Sequence, residues 1–144
     1  MEQVTYSSNS PEDTLKIAYE IALKTLPGTI ICLNGDLGVG KTVFTKGFAK
    51  GLGIKEHVVS PTFTIMQSYT DGKMPLYHFD VYRIDDISEM DEIGYEDCFY
   101  GDGVTLIEWS EKIEELIPAG AIYVTIKKNL EKGFDYRDIE IKKA

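Results

Sequence analysis

A chain of 144 residues is the size of one ordinary domain, long enough to bury roughly two thirds of its unfolded surface without disulfides or a structural metal. Its 15 basic residues are outnumbered by 24 acidic ones, and the net charge of −9 opposes a large direct footprint on a phosphate backbone. No apolar run approaches the ~20 residues a membrane span needs and the first ten residues carry no basic or apolar leader, so one cytoplasmic domain over residues 1–144 is expected, without membrane contact.

Ser10-Pro11-Glu12-Asp13 opens a helix, with Ser10 as N-cap, Pro11 at the first helical position and acids in the first turn. Ala18, Ile21, Ala22 and Thr25 recur at helical spacing until Pro27-Gly28 stops them. Residues 29–34 read as a buried strand. Residues 35–42 then spell Gly-Asp-Leu-Gly-Val-Gly-Lys-Thr, a full match to the phosphate-loop pattern, and a helix is predicted from Lys41 to about Lys50, ended by Gly51 and Gly53. Residues 58–65 lead into a predicted hairpin with its turn at Asp71-Gly72 and its return strand at 76–82. Consecutive antiparallel strands imply a mixed sheet. Residues 85–99 are acidic and partly helical by pattern, 104–107 form a short buried strand, 110–117 a short helix, and 121–127 with 134–141 a terminal hairpin. Cys32 and Cys98 have no second Cys or His at zinc-ligand spacing and read as reduced thiols.

The loop's chemistry follows from its composition. Glycines let successive backbone N–H groups face inward around a triphosphate, and the following helix aims its positive dipole end at the same anion. Gly35, Asp36, Leu37, Gly38, Val39, Gly40, Lys41 and Thr42 are therefore the expected ATP-binding set. Lys41 reaches the β- and γ-phosphates, and the Thr42 hydroxyl offers an oxygen ligand to Mg²⁺. Such a loop also needs an acid at the carboxyl end of a neighbouring strand. Asp80 and Glu108 both end apolar runs, where a carboxylate is costly to bury unless it meets a cation or donors. Glu108 is assigned to the metal and Asp80 to a metal-bound or attacking water, a division that could be reversed, so Lys41, Asp80 and Glu108 form the expected catalytic set.

Other residues admit two readings. His78 is a base or a hydrogen-bonded structural residue, and Trp109 is a packing residue or a recognition platform. Residues 60–62, Ser-Pro-Thr, are plain turn chemistry or a segment that senses the γ-phosphate. The chain has two arginines, Arg83 and Arg137, whereas phosphate-loop kinases for small molecules commonly clamp the transferred group with several. This favours hydrolysis, with a small-molecule kinase as the alternative. The absence of an Asn-Lys-x-Asp signature favours ATP over GTP.

Gly35-Asp-Leu-Gly-Val-Gly-Lys-Thr42, Ser60-Pro-Thr-Phe63, His78-Phe-Asp-Val-Tyr-Arg83 and Ile107-Glu-Trp109, in this order in so short a chain, resemble the TsaE family. These are small bacterial ATPases required for N6-threonylcarbamoyladenosine modification of tRNA. The resemblance spans the Ser10 helix through Pro118 and weakens after Asn129; Val39 stands where many members have Ala. It implies a P-loop NTPase-like α/β sandwich of three layers with a mixed, mainly parallel central sheet. It also implies Lys41 and Thr42 on the β/γ-phosphates and Mg²⁺, Asp80 and Glu108 as the acids of the site, and a switch at residues 60–63. The expected partners are TsaD and TsaB, whose transferase complex the ATPase would regulate or reset, with tRNA reached only indirectly.

Overall fold

Four short, largely apolar strands make the heart of one sheet, the pattern that a parallel sheet covered on both sides favours. The computed structural model describes residues 2–36 and 38–143. In chain order the elements are β1 (Glu2–Ser8), α1 (Pro11–Leu23), β2 (Ile30–Gly35), α2 (Lys41–Gly51), β3 (Met66–Tyr69), β4 (Leu76–Asp80), α3 (Glu89–Glu92), α4 (Tyr95–Phe99), β5 (Val104–Glu108), a 3₁₀ segment (Ser110–Leu116), β6 (Ile122–Lys128) and β7 (Arg137–Lys143).

The seven strands lie in the order β1-β7-β6-β2-β5-β4-β3. The pairs β6/β2, β2/β5 and β5/β4 are parallel, while β3 at one edge and β7 and β1 at the other run antiparallel to their neighbours. The sheet is mixed and mainly parallel at its centre, as expected. Because β2 lies between β5 and β6, the loop after β2 and the acids ending β4 and β5 emerge at the same end of adjacent strands.

Strand periodicity divides the core. Ile31, Leu33, Leu106 and Val124 pack with Ala18, Ala22, Phe44 and Phe48 on the α1/α2 side. Ile30, Cys32, Phe79 and Ile107 pack with Met90, Cys98, Phe99 and Ile113 beneath α3, α4 and the 3₁₀ segment. Three layers result. The Ser10 hydroxyl caps α1 by accepting the Asp13 N–H at 3.1 Å, and the Asp13 carboxylate accepts the Asn9 N–H at 3.0 Å.

The structure departs from the sequence expectations in four places. Residues 2–8, read only for their lack of a leader, form an edge strand paired with β7 along its length. Residues 58–65 do not extend the β3/β4 hairpin: Pro61 has no N–H to give, its carbonyl accepts the N–H of Thr64 and Ile65, and the strand starts only at Met66. The return strand stops at Asp80 because the Asp80 carboxylate takes the Tyr82 N–H and bends the chain there. Between β3 and β4 the connection is wider than a two-residue turn, since Tyr69 pairs with Leu76 while the Asp71 carboxylate accepts the N–H groups of Lys55 and Glu56. The short helix expected over 110–117 is present as a 3₁₀ segment, kinked at buried Ile113 with φ −129°.

Candidate functional site

The loop after β2 has the backbone that its glycines permit. Gly35 has φ +153°, and a Cβ there would fall 2.7 Å from Val39 Cγ1 and 2.8 Å from the Ile126 carbonyl oxygen, so only glycine fits. Gly38 and Gly40, at φ +75° and +113°, face open space where a side chain would stand. Asp36 is exposed and its carbonyl accepts the Val39 N–H at 3.1 Å. Val39 is buried, and Leu37 lies outside the described residues. Gly40 precedes α2 without any side-chain cap, which leaves the first N–H groups of that helix to other acceptors. Thr42 is exposed on the first turn.

Lys41 is buried, an uncommon state for a lysine, and its Nζ lies 3.6 Å from Glu108 Oε1 and 4.9 Å from the centre of the Trp109 ring. The other Glu108 oxygen, Oε2, is 2.8 Å from His78 Nε2. Among the described residues His78 Nδ1 is buried without a hydrogen-bond partner, so only one imidazole edge is engaged, with Glu108. The hydrogen-bonded reading of His78 thereby has a partner, the candidate acid Glu108.

Asp80 and Glu108 stand opposite each other in the β4/β5 register, both buried. Asp80 Oδ2 accepts the Thr62 hydroxyl at 3.3 Å, and Oδ1 accepts the Tyr82 N–H at 3.1 Å. Thr62 Oγ1 is in turn 2.7 Å from Ser60 Oγ. The Ser60-Pro61-Thr62 loop is thereby attached to a candidate catalytic carboxylate, which plain turn chemistry does not require. The structure brings Lys41, Glu108 and Asp80 to one end of the sheet beside the glycine loop.

Trp109 packs, yet it also covers the site. Its backbone is left-handed at φ +64°, its ring lies 4.9 Å from that of Tyr82, and it lines a cleft of about 330 Å³ together with Gly35, Lys41, Glu111, Glu114 and Tyr123. Ile65, at the other flank of the site, is likewise left-handed at φ +69°, a strained conformation for a β-branched residue. Both cysteines are free and buried, and burial is the first cause that pushes each thiol pKa up.

Among the described residues no group of three or more His, Cys, Asp and Glu side chains is arranged to hold a metal. The oxygens of Thr42, Asp80 and Glu108 nevertheless suit Mg²⁺, which keeps several waters and shares phosphate oxygens instead of filling an all-protein cage. One residue escaped the sequence reading. Arg137, noted there only as one of two arginines, donates from Nε to the Val39 carbonyl at 2.7 Å across a separation of 98 residues, for which no local pattern is a signal.

A model of the family described as "Threonylcarbamoyl adenosine biosynthesis protein TsaE" matches residues 8–138. The tRNA threonylcarbamoyladenosine biosynthesis protein TsaE of Bacillus subtilis (strain 168) is 48% identical over 139 residues, covering 96% of this chain and 85% of that protein. The protein of the same name from Treponema pallidum (strain Nichols) is 38% identical over 120 residues, covering 83% and 88% respectively. A crystal structure of Bacillus subtilis YdiB matches with a TM-score of 0.83 and 43% sequence identity, covering 97% of this chain and 84% of that one. With the glycine loop, the strand-end acids and the mixed sheet in the same chain as these likenesses, the protein belongs to the TsaE family.

Proposed function

We propose that this protein is a Mg²⁺-dependent ATPase of tRNA N6-threonylcarbamoyladenosine modification, slow alone and stimulated by the TsaD–TsaB transferase pair that its nucleotide cycle regulates or resets. Family membership supports the pathway. The observation that carries the ATPase reading is Lys41, a buried phosphate-loop lysine held 3.6 Å from the Glu108 carboxylate at the mouth of an open glycine loop.

The loop N–H groups bind the phosphates, and Lys41 exchanges its contact with Glu108 for the β- and γ-phosphate oxygens. Thr42 and Glu108 would hold Mg²⁺, which would supply charge neutralisation at the phosphate oxygens. His78 keeps Glu108 oriented once Lys41 has turned away, since its 2.8 Å contact is to the other carboxylate oxygen. Asp80, fixed by Thr62 and Tyr82, orients the attacking water, and the Thr62 contact makes the loop at 60–63 responsive to the γ-phosphate. With a net charge of −9 the chain reaches tRNA only through its partners. We place it in the cytoplasm; among the described residues no helix is long and apolar enough to cross a membrane.

Steady-state ADP release, with TsaD and TsaB added in turn, tests the proposal. Slow release by the chain alone and faster release with both subunits is the expected result. Full-speed hydrolysis indifferent to them overturns the regulatory reading, and stoichiometric transfer of phosphate to a small molecule replaces it with a kinase.

A further inference from the structure

Arg137 opens β7, paired on one side with Ser8 of β1 and on the other with Lys128 of β6. Its half-buried guanidinium makes no ion pair among the described residues and is engaged with backbone carbonyls instead. Nη1 donates to the Phe134 and Tyr136 carbonyls at 2.9 and 2.8 Å, which locks the side chain to its own hairpin, while Nε donates to the Val39 carbonyl at 2.7 Å. The first two contacts are local. The third ties a rigid sheet edge to the middle of the phosphate loop.

A loop that collects anions turns its N–H groups inward and therefore its carbonyls outward, where each needs a hydrogen-bond donor. Val39 is the residue at which this loop is anchored twice: its buried side chain covers Gly35, and its carbonyl receives a charge-assisted hydrogen bond. We propose that Arg137 is a positioning residue for phosphate binding, holding the Val39 carbonyl so that residues 38–40 keep their anion-accepting shape before any ligand arrives. If the loop is competent only part of the time, apparent affinity falls by that fraction, so the tether sets how tightly phosphates bind without touching them. The ligand in this proposal rests on the nucleotide reading above; the tether itself does not.

The test compares Arg137→Gln and Arg137→Lys with Tyr136→Phe, whose hydroxyl contacts Ser7 and Asp138 support the same hairpin without reaching Val39. Two probes, ADP with Mg²⁺ and inorganic tripolyphosphate, are titrated by calorimetry, and amide exchange at residues 38–40 is followed by NMR in the ligand-free chain. Arg137→Gln is expected to weaken both probes by the same factor, about tenfold for the loss of one charge-assisted hydrogen bond, and to speed exchange at residues 38–40. Arg137→Lys keeps the charge but not the planar fork and is expected to recover only part of the affinity. Should Arg137→Gln fail to fold, the lysine variant carries the test with the same two readouts. Tyr136→Phe lowers the melting temperature with affinity and exchange unchanged. Unaltered exchange, an affinity loss equal to that of Tyr136→Phe, or a loss confined to ADP overturns the proposal. A parent chain that binds neither probe overturns the nucleotide reading instead, and loop exchange then decides the tether alone.

Discussion

The two helical layers that cover the sheet are held together by different means. On one side α1 and α2, of 13 and 11 residues, cross with their backbones almost touching: a Cβ on Gly47 would lie 2.3 Å from the Leu15 carbonyl oxygen, and one on Gly51 would lie 2.5 Å from Ala22 Cβ. On the other side α3 and α4 have only 4 and 5 residues, and side chains do the filling. Phe99 meets Phe79 and Tyr95 edge-on at centroid separations of 5.5 and 5.1 Å. The first layer positions a site made of backbone, the glycine loop and the start of α2, and close backbone approach gives it one packing. The second positions side chains, Asp80, Glu108 and Trp109, through short segments whose packing is set residue by residue.

The largest expected effect falls on the layer built from side chains. Phe79→Ala removes the sheet-side partner of Phe99 in the aromatic cluster, where Phe79 is fully buried, and should cost about 3–5 kcal/mol in urea unfolding. A loss below about 1 kcal/mol would mean that the short segments close over the gap and that this layer is plastic. Lys41→Ala probes the junction of the two layers, since it joins the first residue of α2 to the last of β5. It should weaken ATP by roughly thirtyfold, about 2 kcal/mol, with Mg²⁺ present; unchanged affinity by calorimetry would remove Lys41 from the phosphate site.

Gly47→Ala sharpens the contrast from the other side. Helix propensity alone would make it stabilising by up to ~1 kcal/mol, whereas overpacking against Leu15 backbone costs about 1–3 kcal/mol, so a net loss of about 1 kcal/mol is expected by denaturant titration. A gain would show that α1 and α2 separate easily. The smallest effect concerns the exposed turn before α3. Glu89 accepts the N–H groups of Asp85 and Asp86, and these bonds hold its carboxyl below the usual range; Asp86 is lowered in the same way by Ser88. A carboxyl pKa lowered by folding stabilises above the unfolded carboxyl range and loses that contribution as pH falls through the folded value. Glu89→Gln should therefore leave the acid limb of the stability curve slightly shallower than in the parent chain. An identical acid limb would mean that the turn contributes nothing at its surface.

Local chemistry was legible in the sequence. The Ser10 cap, the glycines and lysine of residues 35–42, and carboxylates at the ends of apolar runs each declare themselves within a few residues, because caps, positive-φ turns and strand periodicity are set by neighbours along the chain. Tertiary structure decided what those features meet. Only strand order brings Glu108 beside Lys41, only the β4/β5 pairing sets Asp80 opposite Glu108, and His78 is identified as Glu108's partner only when the side chains are in place. β1 escaped notice because an edge strand of alternating character gains its definition from β7, more than a hundred residues away. Arg137 reaches Val39 for the same reason: a hydrogen bond spanning 98 residues has no period, and its geometry exists only after the sheet has closed.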